Sequence, residues 1–119
     1  MKNLFLLMIL LFSFNAKSQI SDIQQKGSYL YIYGENNKQL SYLSLSNKDI
    51  FLGQATDFYV VQKGSYIYTY DVKSKQIAYL SLSSSDSFKS AGGNTFNIKK
   101  GSYIYTYDKN CKQKSYRSL

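Results

Sequence analysis

Lys-Gly-Ser-Tyr-Ile-Tyr-Thr-Tyr-Asp, residues 63–71, returns unchanged as residues 100–108 and as Lys-Gly-Ser-Tyr-Leu-Tyr-Ile-Tyr-Gly over residues 26–34. Successive copies are 37 residues apart both times. Agreement at a fixed period marks a repeat architecture, in which each unit buries a face against the next. The match runs on past the nonapeptide. Tyr42, Tyr79 and Tyr116 coincide, Lys-Gln recurs at 38–39, 75–76 and 112–113, and Ser-Leu recurs at 44–45, 81–82 and 118–119. Asp49 and Phe51 align with Asp86 and Phe88. The repeats are read as 26–62, 63–99 and 100–119, inside one β-repeat domain spanning 19–119.

Tyr66 to Tyr70 alternates aromatic with β-branched residues, which suits a pleated strand. Asp71 to Lys75 is a polar break. Gln76 to Leu82 is a second alternating run, in which Ile77, Tyr79 and Ser81 are expected on one face and Ala78, Leu80 and Leu82 on the other. The short connection makes the two runs a hairpin. Asp71 and Asp108 open their turns, where a short acceptor side chain can take the following backbone N–H groups, and Gly34 fills that slot in the first repeat. A third strand is expected over Asp86–Ala91 and a fourth over Thr95–Lys99, separated by Gly92-Gly93-Asn94, with Lys100-Gly101 turning into the next unit. No stretch has helical periodicity. The fold class is therefore all-β: an antiparallel meander of about 2.5 repeats of 37 residues, propeller-blade-like or an open repeat sheet. The strand-and-turn spacing predicts about four strands per repeat and ten or eleven in all.

The composition follows from the repeat. Thirteen tyrosines stand among 119 residues, and four per unit account for twelve; Tyr59 alone lies outside the pattern. The chain has no His, which removes the commonest general base and the commonest metal ligand. A single Cys excludes an internal disulfide framework and a Cys-based zinc site.

Residues 1–18 have the layout of a secretory signal peptide: Lys2 near the start, an apolar run over 4–14 broken by Ser13, then Ala16 and Ser18 as small residues before a cut between Ser18 and Gln19. The run is shorter than the roughly 20 apolar residues a spanning helix needs. The expected location is secreted or periplasmic, with nothing spanning the membrane after cleavage. Cleavage would remove Lys2 and Lys17 and no acid, lowering the formal charge from +8 to +6.

The stretch Gly93–Asp108, continuing to Lys112-Gln113, resembles part of a β-propeller blade: a strand, a Gly turn, a short aromatic strand ending in Asp, and a further strand. It is also similar to short secreted bacterial β-repeat proteins with Gly-Ser-Tyr-Ile-Tyr-Thr-Tyr-Asp units. The propeller resemblance implies four-stranded blades and closure only by oligomerisation, as in small lectins. Those lectins rely on Trp for sugar, which this chain lacks.

Period-two geometry puts Tyr66, Tyr68 and Tyr70 on one face, with Tyr79 joining them across the hairpin, and Ile67, Leu80 and Leu82 on the other. Tyr103, Tyr105 and Tyr107 repeat the pattern. These seven tyrosines are the candidate ligand- or partner-binding residues. Their alternative use is packing between repeats, since Tyr can bury its ring while its hydroxyl reaches water. Whether the face is covered or open decides between the two. Cys111, in a turn, is open to an intermolecular disulfide in an oxidising compartment. In the last repeat Ile77 becomes Lys114 and Leu80 becomes Arg117, polar changes that suit a terminal unit.

No nucleophile elbow, phosphate loop or metal-ligand spacing is present, so no catalytic residue, metal or cofactor is assigned. The seven carboxylates are Asp22, Glu35, Asp49, Asp57, Asp71, Asp86 and Asp108, and no local constellation singles out a pair. The expected function is a secreted, non-catalytic β-repeat module binding a surface, glycan or protein partner. The alternative is a structural subunit that self-assembles as a homo-oligomer or joins an envelope complex through its repeat faces. Nucleic acid is disfavoured by export and by the even spread of lysines, although aromatic platforms beside Lys suit single strands.

Overall fold

The computed structural model describes residues 18–119, so the proposed signal segment lies outside the described residues apart from Ser18. Among the described residues eleven strands form three antiparallel sheets, each a simple meander. The first sheet holds β1 (Asp22–Lys26), β2 (Tyr29–Tyr33) and β3 (Gln39–Ser44). The second holds β4 (Asp49–Gln54), β5 (Phe58–Lys63), β6 (Tyr66–Asp71) and β7 (Gln76–Ser81). The third holds β8 (Asp86–Gly92), β9 (Thr95–Lys100), β10 (Tyr103–Asp108) and β11 (Gln113–Ser118). None of the three closes into a barrel.

The sheets are out of phase with the sequence repeat as it was delimited. Lys63-Gly64-Ser65, the start of the second repeat, is the hairpin turn between β5 and β6, in the middle of a sheet. The second and third sheets therefore each take two strands from one repeat and two from the next. A period fixes only the length of a unit. The breaks between sheets fall instead at 45–48 and 82–85, where Asp49 and Asp86 each accept the backbone N–H three residues earlier, from Ser46 and Ser83, at 2.9 and 3.0 Å. The short third repeat is thus two strands completing a four-stranded sheet.

The turns form for local reasons. Gly27, Gly64 and Gly101 sit at φ near +61°, a left-handed conformation that suits glycine. Asp71 Oδ1 accepts from the N–H groups of Lys73 and Lys75 at 2.9 and 3.0 Å, and Asp108 Oδ1 from Asn110 and Lys112 at 2.9 and 3.1 Å, as the turn reading required.

The sheets stack face to face, with the second in the middle. One face of the first sheet (Ile23, Leu30, Ile32) meets Tyr59, Val61 and Tyr70 of the second. The other face of the second (Phe58, Val60, Ile67) meets Phe96, Ile98 and Tyr107 of the third. Burying each such aliphatic side chain contributes about 1.5–3 kcal/mol. Backbone bonds link the stack as well: Ile20 N–H to Thr56 O and Thr56 N–H to Gly93 O, both 2.8 Å.

Ile77 corrects the alternation expected for β7. Thr69 pairs with Ala78 but Tyr70 with Gln76, so Ile77 is the extra residue of a β-bulge. The bulge turns it away from Tyr79 and onto the same side as Leu80, where both pack against the core shared with the third sheet. The bulge recurs at Leu40 and at Lys114. Ile77→Lys and Leu80→Arg in the last repeat therefore change one face, the outer one of the third sheet, rather than two.

Candidate functional site

Each sheet presents the same tyrosine cluster, built where the Lys-Gly-Ser hairpin meets the last strand. In the second sheet Tyr66 and Tyr68 come from β6 and Tyr79 lies directly across from Tyr68 on β7. Ring centroids are 5.9 Å apart for Tyr66–Tyr79, 6.0 Å for Tyr68–Tyr79 and 6.4 Å for Tyr66–Tyr68. Tyr29, Tyr31 and Tyr42 form the same trio in the first sheet, and Tyr103, Tyr105 and Tyr116 in the third. The exposed pair stands edge to face each time, at 62°, 72° and 71°.

A lysine lies over the central ring of every trio. Lys26 Nζ is 5.7 Å from the Tyr31 centroid, Lys63 5.5 Å from Tyr68 and Lys100 5.5 Å from Tyr105, within cation–π range. Lys63 and Lys100 each lie 4.0 Å from the carboxylate of Asp49 or Asp86. The Tyr70 hydroxyl beside Lys63 raises its pKa above the ordinary lysine value, with Asp49 adding to the effect, so the ammonium stays charged.

Burial divides the tyrosines sharply. Tyr70 and Tyr107 are 5% exposed, stacked on Tyr59 at 5.3 Å and on Phe96 at 5.5 Å. Tyr59, outside the tyrosine pattern, is the counterpart of Phe96 and is fully buried; burial pushes its phenol well above the usual tyrosine range. The trios stay open. Tyr29, Tyr66 and Tyr103 are 42%, 41% and 44% exposed, and Tyr42, Tyr79 and Tyr116 are 60%, 60% and 62%. Among the described residues no sheet stands before the first trio, yet its exposure matches that of the other two. The preceding sheet thus covers the inner tyrosine of its neighbour and leaves the trio bare.

Of the seven tyrosines picked from sequence, Tyr66, Tyr79 and Tyr103 are open, Tyr68 and Tyr105 are half-buried beneath a lysine, and Tyr70 and Tyr107 are in the core. Tyr29, Tyr31, Tyr42 and Tyr116 complete the trios and were not among the seven, although the 37-residue alignment marks each as an equivalent. The lysines were also missed; their signal was the first letter of every Lys-Gly-Ser-Tyr.

Cys111 is half-buried between the second and third sheets, at φ 60°, in the position Ser74 holds one repeat earlier. Burial pushes its thiol up to about 11, and the neighbouring Thr69 hydroxyl only partly opposes this. Ser74 is held by Tyr59 and Ser41 hydroxyls, both at 2.8 Å. The hydroxyl facing each turn changes strands between interfaces. Ser41 on β3 donates to Val72 O at 2.7 Å, while Thr69 on β6 donates to the equivalent Lys109 O at 2.6 Å.

The carboxylates are mostly engaged in holding the fold. Asp49, Asp71, Asp86 and Asp108 serve turns, and Asp57 pairs with Lys109 at 3.0 Å. Among the described residues no group of three or more acidic, His or Cys side chains is placed to hold a metal ion. No helix among them is long and apolar enough to cross a membrane. No known family model matches the chain, and no curated protein matches it.

Proposed function

We propose that this chain is a secreted, non-catalytic β-repeat module that binds a surface, glycan or protein partner through its tyrosine trios. One observation carries the reading: the trios keep the same exposure with and without a described sheet in front of them. Tyrosines needed only for stacking would follow Tyr70 and Tyr107 into the core. Large aromatic side chains with hydroxyl tips, held rigid by cross-strand pairing, offer contact area at small entropic cost. The residue 1–18 pattern supports export, and the engagement of the carboxylates in turns and ion pairs supports a role without catalysis.

The test is retention on isolated cell envelope at low salt. A Tyr66→Ser/Tyr79→Ser variant should keep the far-ultraviolet circular dichroism of the parent and lose most of its retention. Undiminished retention by a folded variant lacking all six exposed tyrosines would sink the reading.

A further inference from the structure

We propose that the three trios are three subsites for one chain of acidic polysaccharide, lying across the outer ends of the stacked sheets. The inference rests on the binding-module reading and names its ligand class. Three copies of one cluster, set on sheets that pack about 10 Å apart, are matched by a ligand that itself repeats. A polysaccharide strand has that property, and a folded protein surface does not.

The chemistry of each subsite points the same way. Tyr66 and Tyr79 offer ring surface to the C–H faces of a sugar and two hydroxyls to its hydroxyl groups. Ser81, opposite Tyr66 in the strand register, is exposed and adds a third; Ser44 and Ser118 occupy the same place in the other sheets. The exposed rings stand at 62–72° to one another, so they form no parallel slot for a flat base. The charge selects an acidic chain. Every subsite has a lysine at its central ring, and the chain after cleavage at Ser18 would carry a formal +6. The first subsite has the least neutralised lysine, because Lys63 and Lys100 each lie 4.0 Å from a carboxylate and among the described residues Lys26 forms no ion pair.

Binding of the protein to polygalacturonate, dextran and poly-uridylate tests this. The expected result is binding to polygalacturonate that weakens with salt and exceeds binding to dextran. The long polymer should bind about 100-fold more tightly than a digalacturonate, through linked occupation of the subsites. Tyr66→Ser/Tyr79→Ser should lower polymer affinity about tenfold while the variant keeps the far-ultraviolet circular dichroism of the parent. Lys26→Gln should reduce the preference for polygalacturonate over dextran more than Lys63→Gln does. Equal binding of dextran, preference for poly-uridylate, or equal affinity for dimer and polymer would each overturn the proposal. No polysaccharide binding, with tyrosine-dependent envelope retention intact, would overturn it and leave the module reading standing. Loss of neither activity in the tyrosine variant would remove both.

Discussion

Tyr70 and Tyr79 lie on the same face of adjacent strands, and their energetic weights differ because only one is covered. Tyr70 is 5% exposed and stacked on Tyr59. Tyr70→Ala should cost about 3–5 kcal/mol, the range for large buried aromatics. Tyr79→Ala should cost only about 0.2–1 kcal/mol, the size of a cross-strand pair. Urea unfolding of both variants checks the contrast. Cys111 makes a second prediction at this scale. Its thiol pKa in the fold is about 11, above its ordinary value of 9.0. The unfolded chain therefore loses this proton first as pH rises. The associated stability is fully present below about pH 9 and is lost as pH climbs through about 11. Tyr59, also raised by burial, acts in the same direction above about pH 10. Cys111→Ser, which removes the titrating thiol, should reduce the fall in unfolding midpoint between about pH 8 and pH 10.5. In the native protein, Cys111 should react slowly with thiol reagents at neutral pH, because the thiolate is the reactive form. The same scarcity of thiolate would slow any intermolecular disulfide.

At the scale of elements, the hairpin turns separate conformational from steric demand. An added Cβ at Gly64 or Gly92 meets nothing within 4 Å, but only Gly64 has a positive φ, +62°. Gly64→Ala should cost about 1–2 kcal/mol through left-handed strain alone. Gly92→Ala should be neutral or stabilising by up to about 1 kcal/mol. Thermal unfolding of the two variants measures the difference. The strands and turns were legible in sequence because alternation and turn chemistry act over a few residues. The expected strands over Asp86–Ala91 and Thr95–Lys99 match β8 and β9 to within one residue. The bulge at Ile77 was not legible from alternation. An extra residue in one strand is defined against its partner, and its direction is chosen by the core it joins.

For the whole molecule, the two outer faces of the described stack carry polar residues where the inner faces carry apolar ones. On the first sheet's outer face, Asp22 and Gln24 stand where the later sheets have Tyr59 and Phe96, and Val61 and Ile98. Gln24 there donates to Asp22 at 3.2 Å. On the third sheet's outer face, Asn97 replaces Val60 and joins Ser90 and Thr106 in a ladder of 3.0 and 2.6 Å bonds, alongside Lys114 and Arg117. Polar ends of this kind limit a repeat array and blunt further stacking. Asn97→Val/Lys114→Ile/Arg117→Leu, which restores the interior residues, should self-associate in sedimentation while the parent sediments as a monomer. A parent that already forms oligomers through this face would contradict the capping role. The sequence by itself determined the repeat length, the all-β class, the hairpins and the acidic turn residues, because each depends on neighbours within one unit. Tertiary structure decided where one sheet ends and the next begins, where Ile77 points, and which tyrosines remain open. Tyr66 and Tyr70 are both tyrosines of one short strand on one face. The inner one is covered by the neighbouring sheet and the outer one is not, and that difference comes from the stack rather than from the strand.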